Sequence, residues 1–565
     1  MATIAQDETK TIPTDNPYFR MLGYYGNTIY IYSYRTAQLI EFSATTPPRA
    51  ISNLLAPQNW WEKKFLGLSG AKFREIIIEY LIRQSQQIGM FNPNRVRGRG
   101  AWIDKKGVPL LHLGDRIMIE GKTHDIKTFK SNDGYIYLAN YPMEIESAEP
   151  MTDDEGREFI KLCSRLSFND NISGKLLAGW IMCAPFCGAL KWRSHIYITG
   201  QAGSGKSFVL NNIIKKALGH LAIDVQGNTS EAGIRQAIAS DARPVIFDEF
   251  DPQGQFQRER LQEIVGLARQ ASTPDGAPII KGSQGQNGAL VYHVRSCFCL
   301  SSVEVFIKDI ADRQRFTILR LLPQSSEENK EKFKQLQTDC RAIITEDFPS
   351  RLIARGAKII NQIRSNQEVF ADEGETIFGK RRISDQMSMM LSGLYALQHD
   401  DFITAEKAKT WFKKHEWEEQ KQLAEESKEY DLLDYILSKT VEFPLDHGGR
   451  LSRMVSEVIY VATLSIGLPN SKLIPDEARD ILNRWGFRFL DDKLIICKNS
   501  DFLKSILKDT HWTYPCYETL LRIPAITTSG KNKMRFNGRP EYFIVIPKNL
   551  YLREPEEHTL KAWEE

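Results

Sequence analysis

The amino-acid sequence predicts a multidomain α/β protein built around a mainly parallel sheet. Its length is the first observation, because 565 residues correspond to about three to four domains of roughly 100–200 residues each. The second is that short apolar runs alternate with helical patterns between residues of about 151 and 345, which favours parallel strands covered by helices on both faces. The expected strands are His195–Thr199, Leu221–Val225, Pro244–Phe247, Ala289–His293 and Cys297–Ser301.

Four regions follow from the residue pattern along the chain. Residues 1–150 combine strand-like runs such as Ile29–Arg35 with a helical stretch at Lys72–Gln87, which predicts a small α+β domain. Residues 151–345 contain the alternating strands and helices, residues 346–430 have a wholly helical pattern, and residues 431–565 return to a mixed one. We therefore expect an N-terminal α+β domain, a central α/β core, a helical domain and a C-terminal domain.

Composition is that of an ordinary globular protein, with 42% hydrophobic and 26% charged residues. The formal net charge is only +3, so any contact with nucleic acid must come from local basic patches. The eight cysteines form no Cys-x-x-Cys pattern, which predicts buried, reduced thiols and no zinc site. A polar N-terminus and the lack of a long uninterrupted apolar stretch predict a cytoplasmic protein with no signal peptide and no membrane span.

The segment HIYITGQAGSGKS, His195–Ser207, has the features of a phosphate-binding loop. An apolar strand ends at Thr199, the pattern G-x-x-x-x-G-K-S follows, and a helix comes next. Glycines permit positive φ and close approach to a phosphate, while loop amides and the helix N-terminus attract the anion. Lys206 would contact the β- and γ-phosphates and Ser207 would bind magnesium; a Gly-rich surface turn is the alternative. The expected phosphate-binding residues are Gly200, Gln201, Ala202, Gly203, Ser204, Gly205, Lys206 and Ser207.

A second apolar strand ends in acidic residues, within RPVIFDEFD at Arg243–Asp251. In P-loop ATPases an acidic residue at a strand end holds the magnesium ion. We therefore expect Asp248 to bind magnesium and the adjacent Glu249 to act as general base toward the attacking water. Two solvated carboxylates at a strand terminus are the alternative.

A third strand, within SCFCLSSVE at Ser296–Glu304, ends in hydroxyl side chains. Ser301 or Ser302 would lie between the phosphate loop and the acidic strand and orient the water, and we take Ser302 as the catalytic candidate. A plain strand end is the alternative.

Two arginines follow in the sequence ADRQR, and either Arg313 or Arg315 is a candidate finger that stabilises transition-state charge in a neighbouring subunit. Such a role requires an oligomer. Surface arginines in salt bridges are the alternative.

A hairpin is predicted at Gly276–His293, where two β-prone runs flank a polar, Gly-rich segment. Lys281 would lie near its tip, where it could contact a nucleic-acid backbone in a central channel. A solvent-exposed hairpin without this role is the alternative.

Two further basic segments are candidate nucleic-acid contacts. Asn94–Trp102 carries three alternating arginines beside a tryptophan, which suits phosphate contact and base stacking as well as a solvated or interface loop. Near the C-terminus, helices precede a basic hairpin and the strand Tyr542–Ile546, which indicates a winged helix that binds duplex DNA, with a lid or assembly domain as the alternative. The basic residues of this hairpin are Lys531, Lys533, Arg535 and Arg539.

The order of the phosphate loop, acidic strand, hairpin and serine-ended strand resembles that of AAA+ ATPases. More narrowly, it resembles the superfamily 3 helicases of phage and plasmid primase-helicase proteins over residues of about 155–325. The resemblance implies an AAA+-like core, a helical lid and a winged-helix-like C-terminal domain, with ATP and Mg²⁺ as cofactors. It also implies a homo-oligomer, expected to be a hexamer, that moves along single-stranded DNA during replication of a mobile element. The sequence departs from the family where Ser301-Ser302 stands in place of the usual Asn, and residues 1–150 show no primase pattern.

Two other function classes remain open at this point. The ATPase could remodel or load a protein partner, which an apolar or aromatic channel would favour over a basic one. A P-loop kinase acting on a small molecule is a weaker alternative, against which the paired Asp248-Glu249 argues.

Overall fold

The computed structural model describes residues 16–43, 48–65, 70–132, 134–248, 254–273, 279–281, 290–323, 327–425, 428–446, 448–466, 471–508, 510, 512, 516–536 and 538–553. The chain divides into two compact units, Met1–Lys421 and Gln422–Glu565. Strands and helices are mixed throughout, and the mixed α/β fold with a parallel sheet is confirmed. All eight cysteines are buried free thiols. No helix among the described residues combines the length and hydropathy that crossing a membrane requires.

Among its described residues, the first part of the first unit contains two small antiparallel sheets and three α-helices. The sheets have the strand orders β1-β2-β3 and β5-β6-β7-β8, while β4 pairs in parallel with β9. The strands are β1 (Phe19–Tyr25), β2 (Thr28–Ser33), β3 (Gln38–Ser43), β4 (Val96–Arg97), β5 (Gly100–Ile103), β6 (Pro109–His112), β7 (Arg116–Ile119), β8 (Lys122–Asp125) and β9 (Ile136–Tyr137), and the helices are α1 (Pro48–Leu55), α2 (Gln58–Lys64) and α3 (Gly70–Ile88).

Strand β2 is buried on both faces, which explains its run of apolar and aromatic residues. Ile29 and Ile31 pack into one cluster with residues of the three helices. Tyr30 and Tyr32 pack into a second cluster that includes Trp102. Because successive strand side chains point to opposite faces, the alternating sequence joins the two small cores.

The middle of the first unit is a five-stranded parallel sheet with the order β11-β12-β15-β10-β16. Its strands are β10 (His195–Thr199), β11 (Ile223–Gln226), β12 (Val245–Asp248), β15 (Phe298–Ser302) and β16 (Phe316–Arg320). The expected strand at Ala289–His293 is instead β14 (Leu290–Tyr292), which forms an antiparallel hairpin with β13 (Ile279–Lys281) outside this sheet. The run Phe316–Arg320 completes the sheet as an edge strand that the sequence pattern had not separated from its surroundings.

Helices precede, separate and follow the strands of this sheet along the chain. The helix after the phosphate loop runs through α6 (Lys206–Phe208), a π-helical stretch Val209–Ile214 and α7 (Lys215–Leu218). The others are α4 (Asp153–Ser164), α5 (Ser173–Cys183), α8 (Glu231–Ile238), α9 (Gln255–Ala271), α10 (Ile310–Arg313), α11 (Glu327–Ile343), α12 (Phe348–Phe378), α13 (Arg381–Ala396), α14 (Ala405–Lys413) and α15 (Glu418–Glu425).

Helices α5 and α13 cross at close range because glycines lie at the contact. A Cβ on Gly179 would be 1.9 Å from the carbonyl oxygen of Met390, and a Cβ on Gly393 would be 2.1 Å from the carbonyl oxygen of Gly179. Any larger residue would force the helices apart. The helical residues after β16 are therefore packed directly on the helix that precedes the phosphate loop.

The second unit has its own hydrophobic core and an antiparallel sheet of order β19-β20-β24-β21. Two separate hairpins are formed by β17 with β18 and by β22 with β23. The strands are β17 (Thr440–Pro444), β18 (Arg450–Met454), β19 (Phe487–Leu490), β20 (Lys493–Cys497), β21 (Thr527–Thr528), β22 (Met534–Phe536), β23 (Arg539–Glu541) and β24 (Phe543–Ile546), and the helices are α16 (Lys428–Ser438), α17 (Val455–Thr463), α18 (Pro475–Trp485), α19 (Asp501–Ile506), α20 (Cys516–Leu520) and α21 (Lys548–Tyr551).

Candidate active site

The phosphate loop connects β10 to α6 and needs its three glycines for two different reasons. Gly203 and Gly205 have φ of 82° and 91°, a region that residues with a Cβ rarely adopt. Gly200 is needed for space, since a Cβ there would lie 2.6 Å from Ser204 Oγ and 2.8 Å from the carbonyl oxygen of Leu321. The loop thus has a defined backbone shape that leads directly into a helix N-terminus, where amides and the helix dipole favour an anion.

The side chains of the loop are arranged around this backbone. Lys206 Nζ lies 3.3 Å from the carbonyl oxygen of Gly200, so the ammonium group is folded back over the loop. Gln201–Gly203 form an exposed tip, and Ser207 is exposed in the first turn of α6. The Ser204 hydroxyl is buried and has no hydrogen-bond partner among the described residues. The loop therefore offers backbone and side-chain donors at one place.

Asp248 lies at the same edge of the sheet as the phosphate loop. It is the last residue of β12, and β10 and β12 both belong to the parallel sheet, so their carboxyl ends meet at one edge. In sites that bind a nucleotide phosphate, magnesium is held by one or two protein oxygens together with substrate phosphates and water. Ser207 and Asp248 fit this donor set. Glu249 lies outside the described residues, and its role as general base stays a prediction.

Ser302 lies on the face of the sheet that points away from Asp248. Its Oγ is 2.5 Å from Tyr197 Oη and also donates a hydrogen bond to the backbone carbonyl of Glu304. Tyr197 belongs to the cluster packed against α8 and α9, as does Phe247. Since strand side chains alternate, Asp248 points to the opposite face. This geometry does not favour Ser302 as the residue that orients the water, because its hydroxyl forms hydrogen bonds on the face of the sheet opposite Asp248.

Ser301 occupies the face on which Asp248 lies. The register pairs Phe247 with Leu300, so Asp248 and Ser301 come next on neighbouring strands. On the same face, burial and the nearby charge of Asp248 raise the pKa of the Cys299 thiol. Ser301 Oγ is buried and has no hydrogen-bond partner among the residues that the structure describes. Buried hydroxyls are normally hydrogen-bonded, so an available one at this position marks it as a functional candidate.

The two candidate finger arginines lie at the opposite edge of the sheet. Arg313 ends α10 and Arg315 immediately precedes β16, whose first residue aligns with the first residue of β10. The Arg315 guanidinium donates to the carbonyl oxygen of Ala311 at 2.6 Å. Burial, with the nearby Arg382, lowers the pKa of Arg315 to about 10. Neither arginine lies at the phosphate-loop edge of its own subunit.

The predicted hairpin is present as β13 and β14, and Lys281 is the last residue of β13, paired with Leu290. Residues 282–289, which contain the expected Gly-rich tip, lie outside the described residues. The neighbouring Ile280 is 63% exposed on the hairpin. In chain order the hairpin therefore lies between β12, the strand that ends in Asp248, and β15.

The three alternating arginines of the N-terminal segment have different surroundings. Arg95 is exposed. Arg97 is buried, with its guanidinium carbon 4.9 Å from the centroid of the Trp102 ring. Arg99 forms a salt bridge of 2.7 Å with Asp241, and its backbone N–H donates to the same carboxylate at 2.7 Å. Arg99 therefore attaches the N-terminal segment to the domain that contains the central sheet.

Two glycines between these arginines allow the attachment. A Cβ on Gly98 would lie 2.2 Å from Asp241 Oδ1, and a Cβ on Gly100 would lie 2.2 Å from the carbonyl oxygen of Ala242. Gly98 also donates its backbone N–H to the carbonyl oxygen of Ser240 at 2.8 Å. The alternation of arginine and glycine thus reflects close backbone contact with the segment that leads into β12.

In the second unit, the predicted basic hairpin is formed by β22 and β23, with an exposed turn at Gly538. Lys533 Nζ lies 4.8 Å from the centroid of the Tyr542 ring. The exposed basic residues of this hairpin are Lys531, Lys533, Arg535 and Arg539.

Among solved structures that match this chain is one described as the active helicase SCCmec type IV Cch, with 11% identity and a TM-score of 0.45. The match covers 92% of this chain and 90% of that one. A second, the apo C-terminal region of NrS-1, has 13% identity and a TM-score of 0.25, covering 63% of this chain and 95% of that one. At these scores and identities neither likeness establishes a common fold. No protein-family model matches the sequence, and no curated protein matches it.

Two side chains that sequence reasoning did not single out are His293 and Arg295. They follow β14 and line a cavity with residues of the N-terminal segment. The signal available in the sequence was the spacing of His293 and Arg295, two residues apart and directly after a β-prone run, which places polar groups at the base of the hairpin.

Proposed function

We propose that this chain is a ring-forming ATPase that uses ATP hydrolysis to move along and unwind nucleic acid, most simply single-stranded DNA. The observation that carries the proposal is the placement of the phosphate loop, Asp248 and the buried Ser301 hydroxyl at one edge of a parallel sheet. These are the parts that phosphoryl transfer to water requires, namely a phosphate cradle, a magnesium ligand and a group that positions the nucleophile.

Each residue at this edge has a proposed task. Lys206 and the amides of the loop bind the phosphates, while Ser207 and Asp248 hold the magnesium ion, directly or through water. The bound magnesium neutralises charge on the β- and γ-phosphates. Glu249 accepts a proton from the attacking water, and Ser301 orients that water by a hydrogen bond. This last role passes to Ser301 because the Ser302 hydroxyl points to the other face.

Oligomerisation is supported by the position of the arginines. Arg313 and Arg315 lie at the edge opposite their own phosphate loop, so either can stabilise a γ-phosphate only by reaching the site of a neighbouring copy. A closed ring of identical subunits provides that arrangement, and we propose a hexamer.

The finer domain scheme belongs to the same proposal. The resemblance to superfamily 3 helicases supports an AAA+-like core over residues 151–345, a helical lid over 346–430 and a winged-helix-like domain over 431–565. The basic hairpin of the second unit supports duplex DNA as an additional ligand of that domain. The same resemblance supports replication of a phage, plasmid or other mobile element in the cytoplasm as the setting.

ATP turnover of the purified full chain, with and without single-stranded DNA, tests the proposal. We expect strong stimulation by DNA, and loss of turnover in Glu249→Gln and Lys206→Ala, both of which should keep the melting temperature of the wild type. Turnover that ignores DNA but disappears in both variants would retain the ATPase and reject the nucleic-acid motor. Turnover that persists in both variants would reject the assigned site.

One observation favours a second candidate function. Ile280 is largely exposed on the hairpin beside Lys281, and an exposed apolar side chain suits contact with a protein better than with a phosphate backbone. In that case the ATPase would remodel or load a protein partner. The DNA-stimulation assay separates the two functions, since a protein remodeller should show no stimulation by DNA in the wild type. In a nucleic-acid motor that contacts DNA through Lys281, Ile280→Ser should leave the stimulation intact.

A further inference from the structure

A small cavity lies where the N-terminal segment meets the foot of the β13–β14 hairpin. Its volume is about 120 Å³, well below the roughly 300–1,000 Å³ of pockets that enclose a whole small-molecule ligand. It therefore has room for one small group and not for an entire nucleotide. Its aromatic and nitrogen-bearing lining includes Asn94, Arg97, Trp102, Tyr135, His293 and Arg295.

Arg97 is held rigidly in one wall of this cavity by aromatic rings. Its guanidinium carbon lies 3.5 Å from the centroid of Tyr135 and 4.9 Å from that of Trp102. Its Nη1 also donates to Tyr137 Oη at 2.8 Å and to the carbonyl oxygen of Ile103 at 3.2 Å. A guanidinium fixed in this way is pre-organised, so binding an anion would cost little additional side-chain entropy.

A second arginine approaches from the hairpin side. The Arg295 guanidinium carbon lies 5.8 Å from the centroid of the Trp102 ring, so two arginines contact one indole. His293, at the rim, adds a further nitrogen donor. Among the described residues that line the cavity there is no aspartate or glutamate. Two converging guanidinium groups in a lining without carboxylates make a site for an anion with several oxygen atoms.

The two walls belong to segments that are joined firmly. The salt bridge between Arg99 and Asp241 and the close approach of Gly98 and Gly100 hold the N-terminal segment against the residues before β12. The other wall continues from β14, the second strand of the hairpin. An anion in the cavity would therefore connect the fixed N-terminal segment to the foot of the hairpin.

We propose that this cavity binds one phosphodiester group of single-stranded nucleic acid beside the hairpin, an inference that rests on the proposed function. Arg97 and Arg295 bind the non-bridging oxygens, and His293 and Asn94 contact the phosphate or its sugar at the rim. The small volume excludes the base, so recognition is of the backbone and not of the sequence. The site is separate from the ATP site, because residues 293–295 precede β15 and thus lie at the opposite edge of the sheet.

The test is binding of fluorescein-labelled oligodeoxythymidylate to the full chain in the presence of a non-hydrolysable ATP analogue, across a series of salt concentrations. We expect Arg295→Gln to weaken binding about five- to tenfold and to reduce the slope of log K against log salt by about 0.7, the value for one lost phosphate contact with a single strand. Arg295→Lys should retain most of the affinity and slope. Asn94→Asp, an isosteric change at an exposed side chain, should weaken binding by placing a carboxylate at the rim.

The matched control is Arg83→Gln, which removes one positive charge from an exposed site on α3, where Arg83 is paired with Glu79. It should bind the oligonucleotide as the wild type does. Melting temperatures of all variants establish that they are folded. If wild type binds but Arg295→Gln and Asn94→Asp bind equally well with the same slope, the cavity assignment is overturned while the proposed function stands.

Two other results have distinct meanings. If the wild type hydrolyses ATP and does not bind the oligonucleotide, the proposed function fails and this inference fails with it. If inorganic phosphate raises the melting temperature of the wild type but not of Arg295→Gln, and both bind the oligonucleotide equally, the cavity holds free phosphate and the nucleic-acid assignment is overturned.

Discussion

Replacing each of the two adjacent serines at the end of β15 tests whether Ser301 carries the proposed catalytic hydroxyl and Ser302 a structural one. Ser302→Ala removes hydrogen bonds to Tyr197 Oη and to the carbonyl oxygen of Glu304. Losing a buried partner costs about 1–3 kcal/mol. We therefore expect Ser302→Ala to lower the free energy of unfolding by about that amount, with ATP turnover in the remaining folded protein largely unchanged.

Ser301→Ala should have the reverse effect. No described residue bonds to Ser301 Oγ, so its removal should change the free energy of unfolding by less than about 1 kcal/mol. A hydrogen bond in which one partner is charged contributes about 1.5–3 kcal/mol. If Ser301 Oγ forms such a bond only in the transition state, losing the bond lowers kcat by roughly 10- to 150-fold, since about 1.4 kcal/mol corresponds to a factor of ten.

The assays are steady-state phosphate release and urea unfolding, applied to both variants and to Ser296→Ala. Ser296 Oγ is also buried without a described partner, but it precedes β15 at the opposite edge of the sheet. Ser296→Ala should therefore preserve both kcat and stability. Wild-type kcat in Ser301→Ala, or a loss of kcat in Ser302→Ala without any loss of stability, would refute the argument from the two sheet faces.

Two more predictions concern other parts of the chain. Burial, with the nearby Arg193 and Arg315, lowers the pKa of His195 to about 3, against about 6.5 in an unfolded chain. Between pH of about 6.5 and 3 the unfolded chain therefore binds more protons at this histidine than the folded chain does. Acidification from pH 7 to about 5 should consequently lower the free energy of unfolding by about 2 kcal/mol. Urea unfolding of wild type and His195→Gln should show a pH dependence in this range that is steeper for the wild type; equal slopes would contradict the shift. In the second unit, Arg535→Gln should weaken duplex DNA binding several-fold and lower its salt dependence, measured by anisotropy against Arg450→Gln as an exposed control, and unchanged binding would remove this hairpin from the DNA interface.

Most of the local structure was predictable because it depends on neighbouring residues. The strand before the Gly200–Ser207 loop and the helix after it were predicted at their correct positions, since strand alternation and helix N-termini are short-range properties. The strand ending in Asp248 was also located to within one residue. In contrast, the run that forms β14 was listed with the strands of the central sheet as well as in the predicted hairpin, and only the hairpin forms, because an apolar run of that length does not indicate which strand it will pair with.

Long-range contacts distinguish residues that the sequence pattern does not. Ser301 and Ser302 are adjacent and chemically identical, and only the pairing of β15 with its neighbours places one beside Asp248 and the other beside Tyr197. Arg97 and Arg99 differ in the same way, because Arg99 meets an aspartate 142 residues away. Residue type and spacing therefore determine which chemistry is available to this chain. Which copy of a repeated residue performs it depends on side-chain direction and on partners distant in sequence, and these exist only once the sheet has assembled.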